Sequence, residues 1–207
     1  MALFETAASG RKTNPFFPQI SELIDNLDTD PLKNSGVVPV HPVGDGTSGL
    51  MLIGEAPGAR EDELGEPFVG ASGKLLNLEL LPSIGLTRET IYLTNIVKCR
   101  PPENRDPTKE EKAAWTPILQ SEILTVKPKI IATLGRHSLS FFLEKPEISK
   151  LHGIPIQLHF KDFDAVLIPL FHPAAALYDP RKKSVLLEDF MTISQHLAAL
   201  PKSAKPS

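Results

Sequence analysis

A short aliphatic run, Leu50-Met-Leu-Ile53, passes directly into Gly54-Glu-Ala-Pro-Gly58, and this junction constrains the chain more than any other stretch. An apolar run of that length ending in glycine reads as a buried strand that delivers a loop to one edge of a sheet. Gly54 and Gly58 let the backbone turn tightly or approach a ligand, Pro57 stiffens the turn, and Glu55 and Glu61 set carboxylates at its lip. The pattern recurs in Ile91-Tyr-Leu-Thr-Asn95, in Lys129-Ile-Ile-Ala-Thr-Leu-Gly135, and in Ala165 to Leu170 followed by Phe171-His-Pro-Ala174. Helical patterns lie between these runs. Ile20, Leu23, Ile24 and Leu27 share one spacing, Leu75 to Ile84 forms a helix that Gly85 stops, and Leu139 to Leu143 another. Thr108 with Glu111 makes a capping box for a helix that carries Trp115, Ile118, Leu119 and Ile123 on one face. Pro155 to His159 and Ala165 to Leu170 suggest a hairpin turning near Asp162, Val37 to Val40 a short edge strand, and about Ser184 to Leu200 a final helix.

Strands alternating with helices specify an α/β domain: a central, mostly parallel sheet of four to five strands with helices on both faces. The 207 residues fit one domain, with an N-terminal helix and linker over 1–48, a core over 49–200 and a flexible tail over 201–207. In such sheets ligands bind beyond the carboxyl ends of the strands. Those ends carry Gly54-Glu55, Thr94-Asn95, Gly135-Arg136 and His172-Pro173, so glycines and polar groups collect on one rim while the strands stay apolar.

Composition removes several function classes. A net charge of -3 rules out a globally basic nucleic-acid binder and leaves only local patches. Cys99 is the one cysteine, which excludes an internal disulfide and any all-cysteine metal or iron–sulfur site; it reads as a small apolar core residue, as Trp115 reads as core. No stretch has the length of a membrane span and the N-terminus lacks a signal-peptide pattern, so the expected compartment is the cytoplasm.

The rim offers Asn95, His172, one or two carboxylates and the aromatic Phe68, without a Gly-x-Ser-x-Gly element or the Gly-Lys-Ser/Thr of a phosphate-binding loop. A planar heterocycle suits this set. An aromatic ring stacks on its face, and a fixed amide edge-on offers both a donor and an acceptor. Uracil presents O4 as acceptor beside N3–H as donor, cytosine presents the reverse, and Asn95 in one orientation matches the first and leaves the second unpaired. His41, His137, His152, His159 and His196 have no motif support and their spacing makes no metal site; His137, beside Gly135-Arg136, is an outside candidate.

Taken together, Gly54-Glu-Ala-Pro-Gly58, Pro67-Phe-Val-Gly70, Thr94-Asn-Ile-Val-Lys-Cys-Arg-Pro-Pro102 with Asn104-Arg105, Leu134-Gly-Arg136 and His172-Pro-Ala174 resemble the uracil-DNA glycosylase superfamily. The resemblance covers roughly residues 48 to 200 and is to family 4, the branch that usually carries an iron–sulfur cluster. It implies excision of uracil from DNA by hydrolysis of the N-glycosidic bond after base flipping, by a monomer acting on single- or double-stranded DNA. By the same resemblance Phe68 stacks on the flipped base, Asn95 reads its edge, and Gly54, Ala56 and Gly58 line it. His172 hydrogen-bonds uracil O2 and stabilises the departing anion. Glu55 orients the water or stabilises the sugar cation, with Glu61 the second candidate. Ala175 to Pro180 takes the position of an intercalating loop with Leu177 or Tyr178 as wedge, and Lys98, Arg100, Arg105, Arg136, Arg181, Lys182 and Lys183 are the phosphate contacts.

Two departures qualify the resemblance. Family 4 places four cysteines around its cluster, whereas this chain keeps Cys99 and has Trp115 at the fourth position, so a cluster-free relative is expected, with residues 28 to 48 repacked over the vacated volume. Relatives that trap DNA covalently use a histidine in an inserted loop; none lies between Lys98 and Pro107, so ordinary turnover is expected. Alternatives are a glycosylase for hypoxanthine or xanthine, an inactive DNA-binding relative, and a binder of free nucleobases.

Overall fold

The computed structural model describes residues 13–199, and the tail expected at 201–207 and residues 1–12 lie outside them. In chain order, α1 (Pro18–Asn26) and α2 (Pro31–Asn34) precede β1 (Leu50–Gly54), and α3 (Ala59–Leu64) and α4 (Ala71–Leu75) follow it. A π-helical turn over Leu76–Leu80 continues α4 into α5 (Leu81–Ser83), which ends before Gly85 at φ +71°. Then come β2 (Tyr92–Asn95), α6 (Lys109–Val126), β3 (Ile130–Leu134), α7 (Arg136–Leu139) and α8 (Ile148–Leu151). The hairpin of β4 (Ile156–His159) and β5 (Asp164–Leu170) leads to α9 (Pro173–Tyr178) and α10 (Pro180–Ala199).

The sheet order is β2-β1-β3-β5-β4, with the first four strands parallel and β4 antiparallel at the edge. Alternate residues of one strand serve opposite faces. Met51 and Ile53 join Tyr92, Ile131 and Leu167 under Ile20 and Ile24 of α1 and Trp115, Leu119 and Ile123 of α6. Leu50 and Leu52 join Leu93, Ala132 and Ile168 under Leu76, Leu80 and Leu81 and under Leu186, Phe190 and Ile193 of α10. Helices thus cover both faces. Register places Gly54 beside Asn95 and Leu134 beside Leu170, which sets the glycine loop, the asparagine, Gly135 and His172 along one rim.

The capping box of α6 forms as expected: Glu111 N donates to Thr108 Oγ1 at 3.2 Å and Thr108 N donates to Glu111 Oε2 at 2.8 Å. Three local expectations are corrected. Val37 to Val40 is not a strand, because Pro39 and Pro42 withhold ladder donors; a single antiparallel bridge, Val43 with Leu93, forms instead. Leu139 to Leu143 is not a helix: α7 stops at Leu139, and the following residues turn. α10 begins at Pro180, ahead of Ser184, because the Asp179 carboxylate accepts from Arg181 N at 3.1 Å and Pro180 suits the first helical position. The basic triplet therefore stands on a helix.

Lys98 is the largest departure. Its side chain is 1% exposed and cannot reach a phosphate. Nζ donates to Glu122 Oε2 at 2.7 Å, to the Asn95 carbonyl at 2.6 Å and to Thr94 Oγ1 at 2.9 Å, and burial pushes its pKa down against the pull of Glu122. Glu122, fully buried on α6, also accepts from Tyr92 Oη and Thr94 Oγ1. Each polar atom of the pair is satisfied by the other or by β2. Removing one partner of such a pair leaves a buried charge uncompensated. Lys98→Met is therefore expected to lower folding stability by about 3–5 kcal/mol in urea denaturation, and Lys98→Met with Glu122→Leu to recover most of it. A single variant as stable as the parent would refute that role.

Candidate active site

The first wall of the site is held in a conformation that the backbone resists. Phe68 has φ +53°, where a bulky side chain crowds its own carbonyl. The surrounding residues hold it there. Glu61 Oε1 accepts from Val69 N at 2.9 Å and Gly70 N at 2.7 Å, Asn77 Nδ2 donates to Phe68 O at 3.0 Å, and Arg88 donates to Phe68 O at 3.3 Å and Pro67 O at 3.0 Å. Glu61 thus shapes the loop as well as lining the pocket. Two glycines make the approach possible. A Cβ on Gly54 would lie 2.3 Å from Asn95 Oδ1 and 2.6 Å from Phe68 Cζ, and one on Gly73 would lie 2.0 Å from Phe68 O.

Ala56, Gly58, Glu61, Phe68, Ser72, Asn95 and His172 enclose a cavity of about 140 Å³. Asn95 lines this cavity, is buried, and has an Oδ1 without a hydrogen-bond partner. His172 caps α9 with its ring: Ala174 N donates to His172 Nδ1 at 3.1 Å. With Nδ1 accepting, the proton of the neutral imidazole is assigned to Nε2. Burial pushes His172 below its usual pKa, against a smaller upward pull from Glu61, so near neutrality the ring is an uncharged donor. Its plane lies 29° from that of Phe68, with centroids 6.2 Å apart.

Glu55 is not in this lining. Its carboxylate stands on the crest of the rim, where Oε1 is 3.7 Å from His137 Nδ1. Burial first, and the nearby Asp106 second, raise its pKa from 4.5 to about 7, with Lys112 and Arg136 pulling the other way. Ligand atoms of Glu55, Asp106 and His137 lie within 4.8 Å of one another, and Arg136 and Lys112 stand against the same imidazole, supplying positive charge there.

The other cations stay on the surface, most of them already paired. Arg100 donates to Asn104 Oδ1 and approaches Asp62, Arg105 grips Glu111 with both guanidinium arms, and Arg136 meets Asp106 at 3.3 Å. Arg181 pairs with Asp179, Lys182 lies over the Phe171 ring and Lys183 pairs with Glu79. Leu177 and Tyr178 project from α9 just beyond His172, Tyr178 being 89% exposed. Away from the rim, Cys99 is buried with Sγ toward the Val37 carbonyl, and Trp115, Leu32 and Val37 belong to the same core, so the 28–48 segment packs there.

Sequence reading missed Ser72, which lines the cavity, and Asn77 and Arg88, which act through a loop whose strain has no sequence signature. It set aside His137, whose place next to Gly135-Arg136 was its one signal. Of the remaining histidines, His41, His152 and His159 pair with Asp25, Asp189 and Asp164, and His196 Nδ1 meets the Thr192 carbonyl.

The family model described as the uracil DNA glycosylase superfamily matches residues 41–192. A type-4 uracil-DNA glycosylase of Sulfurisphaera tokodaii is 45% identical over 158 residues, 74% of this chain and 71% of that protein. Its counterpart in Saccharolobus solfataricus is 43% identical over 163 residues, covering 76% of each. That of Thermotoga maritima is 39% identical over 175 residues, 82% of this chain and 88% of its own length.

The clamp on Phe68 makes Gly73 diagnostic. Glycine to alanine inside a helix ordinarily stabilises by about 0.8–1 kcal/mol. Gly73→Ala is expected to lower the melting temperature instead, since its Cβ would collide with backbone atoms of Phe68. A melting temperature at or above the parent's would show that the contact yields freely.

Proposed function

The chain belongs to the uracil-DNA glycosylase superfamily, and we propose that its rim pocket takes uracil flipped out of DNA and releases it by hydrolysing the C1′–N1 bond, the first step of base-excision repair. The observation that carries this reading is Asn95 Oδ1, a buried acceptor without a partner in a cavity walled by Phe68 and His172. N3–H of uracil supplies the missing donor, and the amide nitrogen of Asn95 faces O4. Cytosine offers an acceptor at N3 and leaves the oxygen unpaired, which is costly in a buried site.

Bond cleavage sends electrons into the ring, so O2 and N1 gain charge as C1′ becomes cationic. Nε2–H of His172 donates to O2 in this reading, an interaction that strengthens as the charge grows and therefore lowers the barrier. A neutral donor suits this task, since it does not bind the neutral base as strongly as it binds the anion. Ionised Glu55 stabilises the cationic sugar and orients the water that adds to C1′; the water's proton passes to solvent or to the leaving base. Leu177 and Tyr178 fill the gap left in the stack. Arg100, Arg105, Arg181, Lys182 and Lys183 meet phosphates by exchanging their present carboxylate or aromatic partners for the backbone, while Arg136 stays on Asp106 and His137.

A four-iron cluster needs four thiolates. Only Cys99 is present, packed in a core with Trp115, so the residues do not fit the group and the enzyme works without it. The proposed enzyme is a cytoplasmic monomer that acts on uracil in single- or double-stranded DNA.

The test is alkaline cleavage of a labelled oligonucleotide carrying one uracil. The parent should cleave, Asn95→Ala should not, and His172→Ala should lose about 100- to 1,000-fold in kcat with DNA affinity retained. A folded, DNA-binding parent that spares uracil and releases hypoxanthine, or releases nothing, would overturn the reading.

The pH profile adds a second check. A carboxyl raised to about 7 is mostly protonated below that value. The parent's kcat/KM should rise with pH up to about 7 and then level, and Glu55→Gln should be slower and flat. The same raised pKa means that the fold holds this proton more tightly than the unfolded chain, so its stabilising contribution fades as pH rises through 7. A limb that persists in Glu55→Gln would move the titrating group elsewhere.

A further inference from the structure

We propose that His137 is the positioning residue for Glu55, holding one carboxylate oxygen so that the other is presented to the reacting water and sugar; this rests on the reading of Glu55 given above. The Glu55 carboxylate has no hydrogen bond of its own among the described residues. It meets the edge of the His137 imidazole at 3.7 Å, longer than a hydrogen bond, as catalytic contacts commonly are before substrate binds.

The direction of that edge follows from counting protons. A neutral imidazole carries one N–H. Arg136 Nε donates to His137 Nε2 at 3.0 Å, which makes Nε2 the acceptor and leaves the proton on Nδ1, the atom that faces Glu55. The competing tautomer, with Nε2–H turned to Asp106 Oδ2 at 3.2 Å and Nδ1 accepting from Lys112 Nζ at 3.5 Å, relies on longer contacts. Asp106 completes the mount. Its Oδ2 accepts from Arg136 Nη2 at 3.3 Å and lies 3.2 Å from His137 Nε2, so the guanidinium that fixes the ring is itself fixed.

Position supports the same role. β3 ends at Leu134, and α7 starts at Arg136, so His137 sits on a short rigid turn at the centre of the sheet. The base pocket lies on the side of the rim faced by Phe68 and Ser72. His137 lines a separate hollow with Lys112, Gln120 and Phe141, on the α6 side. Glu55, next in sequence to the pocket residue Ala56, meets His137 through Oε1, which leaves its second oxygen for the water. A residue that acts through another in this way leaves a distinct signature. Its removal costs turnover only while the group it positions is present.

The experiment is a double-mutant cycle read by single-turnover and steady-state excision from the uracil oligonucleotide. His137→Ala in the parent should lower kcat about tenfold with little change in KM. His137→Asn, which restores an N–H near the Nδ1 position, should recover much of the loss. In the Glu55→Gln background His137→Ala should cost nothing further. An equal loss in both backgrounds, as a phosphate contact or a purely structural residue would give, overturns the proposal, and so does an unchanged parent rate. A second measurement does not depend on turnover: long-range ¹⁵N–¹H spectra at pH 8 should show His137 as the Nδ1–H tautomer, and an Nε2–H tautomer would overturn it. If the parent excises no uracil, the glycosylase reading fails, while the tautomer still decides whether His137 faces Glu55 as a donor.

Discussion

A charged amine cannot sit in an apolar core unless every one of its protons is taken up, and Lys98 meets that demand through Glu122, Thr94 and the Asn95 carbonyl. The arrangement ties the end of β2 to the middle of α6 at the point where the chain must present an amide to a ligand. Asn95 is therefore anchored twice, by register against Gly54 and by the lysine beneath its carbonyl. Its side chain is free of structural duty, which is why Oδ1 remains unpaired. Had Lys98 been exposed, the β2 end would rest on loop contacts alone, and the edge that reads a base would share their mobility.

Strain on the opposite wall follows the same logic. Phe68 at positive φ costs on the order of 1–3 kcal/mol. That cost is sustained by carboxylate and guanidinium contacts to the loop backbone from Glu61 and Arg88, with Asn77 adding an amide. Because the ring is already in place when the pocket is empty, binding does not have to order it. Gly54 and Gly73 are then required for a packing reason: each leaves room for a neighbour whose position is dictated by the clamp.

How much of this could be read beforehand depended on whether the cause was local. The strand runs, the Thr108–Glu111 box, buried Cys99 and buried Trp115 are local or compositional, and the structure keeps them. The convergence of Gly54, Asn95, Gly135 and His172 follows from strand polarity, a rule about topology that needs no coordinates. Lys98 was misread because a lysine in a Lys-Cys-Arg-Pro-Pro loop looks like a cationic surface, and only Glu122, distant in sequence, reveals otherwise. The start of α10 was misplaced because the cap on Asp179 outweighs the basic run after it. Leu23, counted on the buried face of α1, is 43% exposed because that face narrows between Ile20 and Ile24. Glu55 was named without its neighbours, since Asp106 and His137 reach it from a loop and from α7, both distant in sequence.

The two titrating groups nearest the chemistry share one cause with opposite signs. Burial is the largest influence on each: it raises Glu55 to about 7 and lowers His172. Both shifts favour the uncharged form, so the empty rim carries less charge than its residue types suggest. Breaking the glycosidic bond creates a cation and an anion a few atoms apart, the one arrangement that an ionised carboxylate on the crest and a neutral donor in the pocket accommodate together. A charged histidine would be penalised by its own burial before the anion forms, and a protonated Glu55 would leave the sugar unsupported. Low dielectric therefore does more than raise the cost of charge: it keeps His172 an uncharged donor for the departing anion and leaves Glu55 to ionise near neutrality for the sugar cation, and the environments that separate their roles are the loop after β1 and the cap of α9.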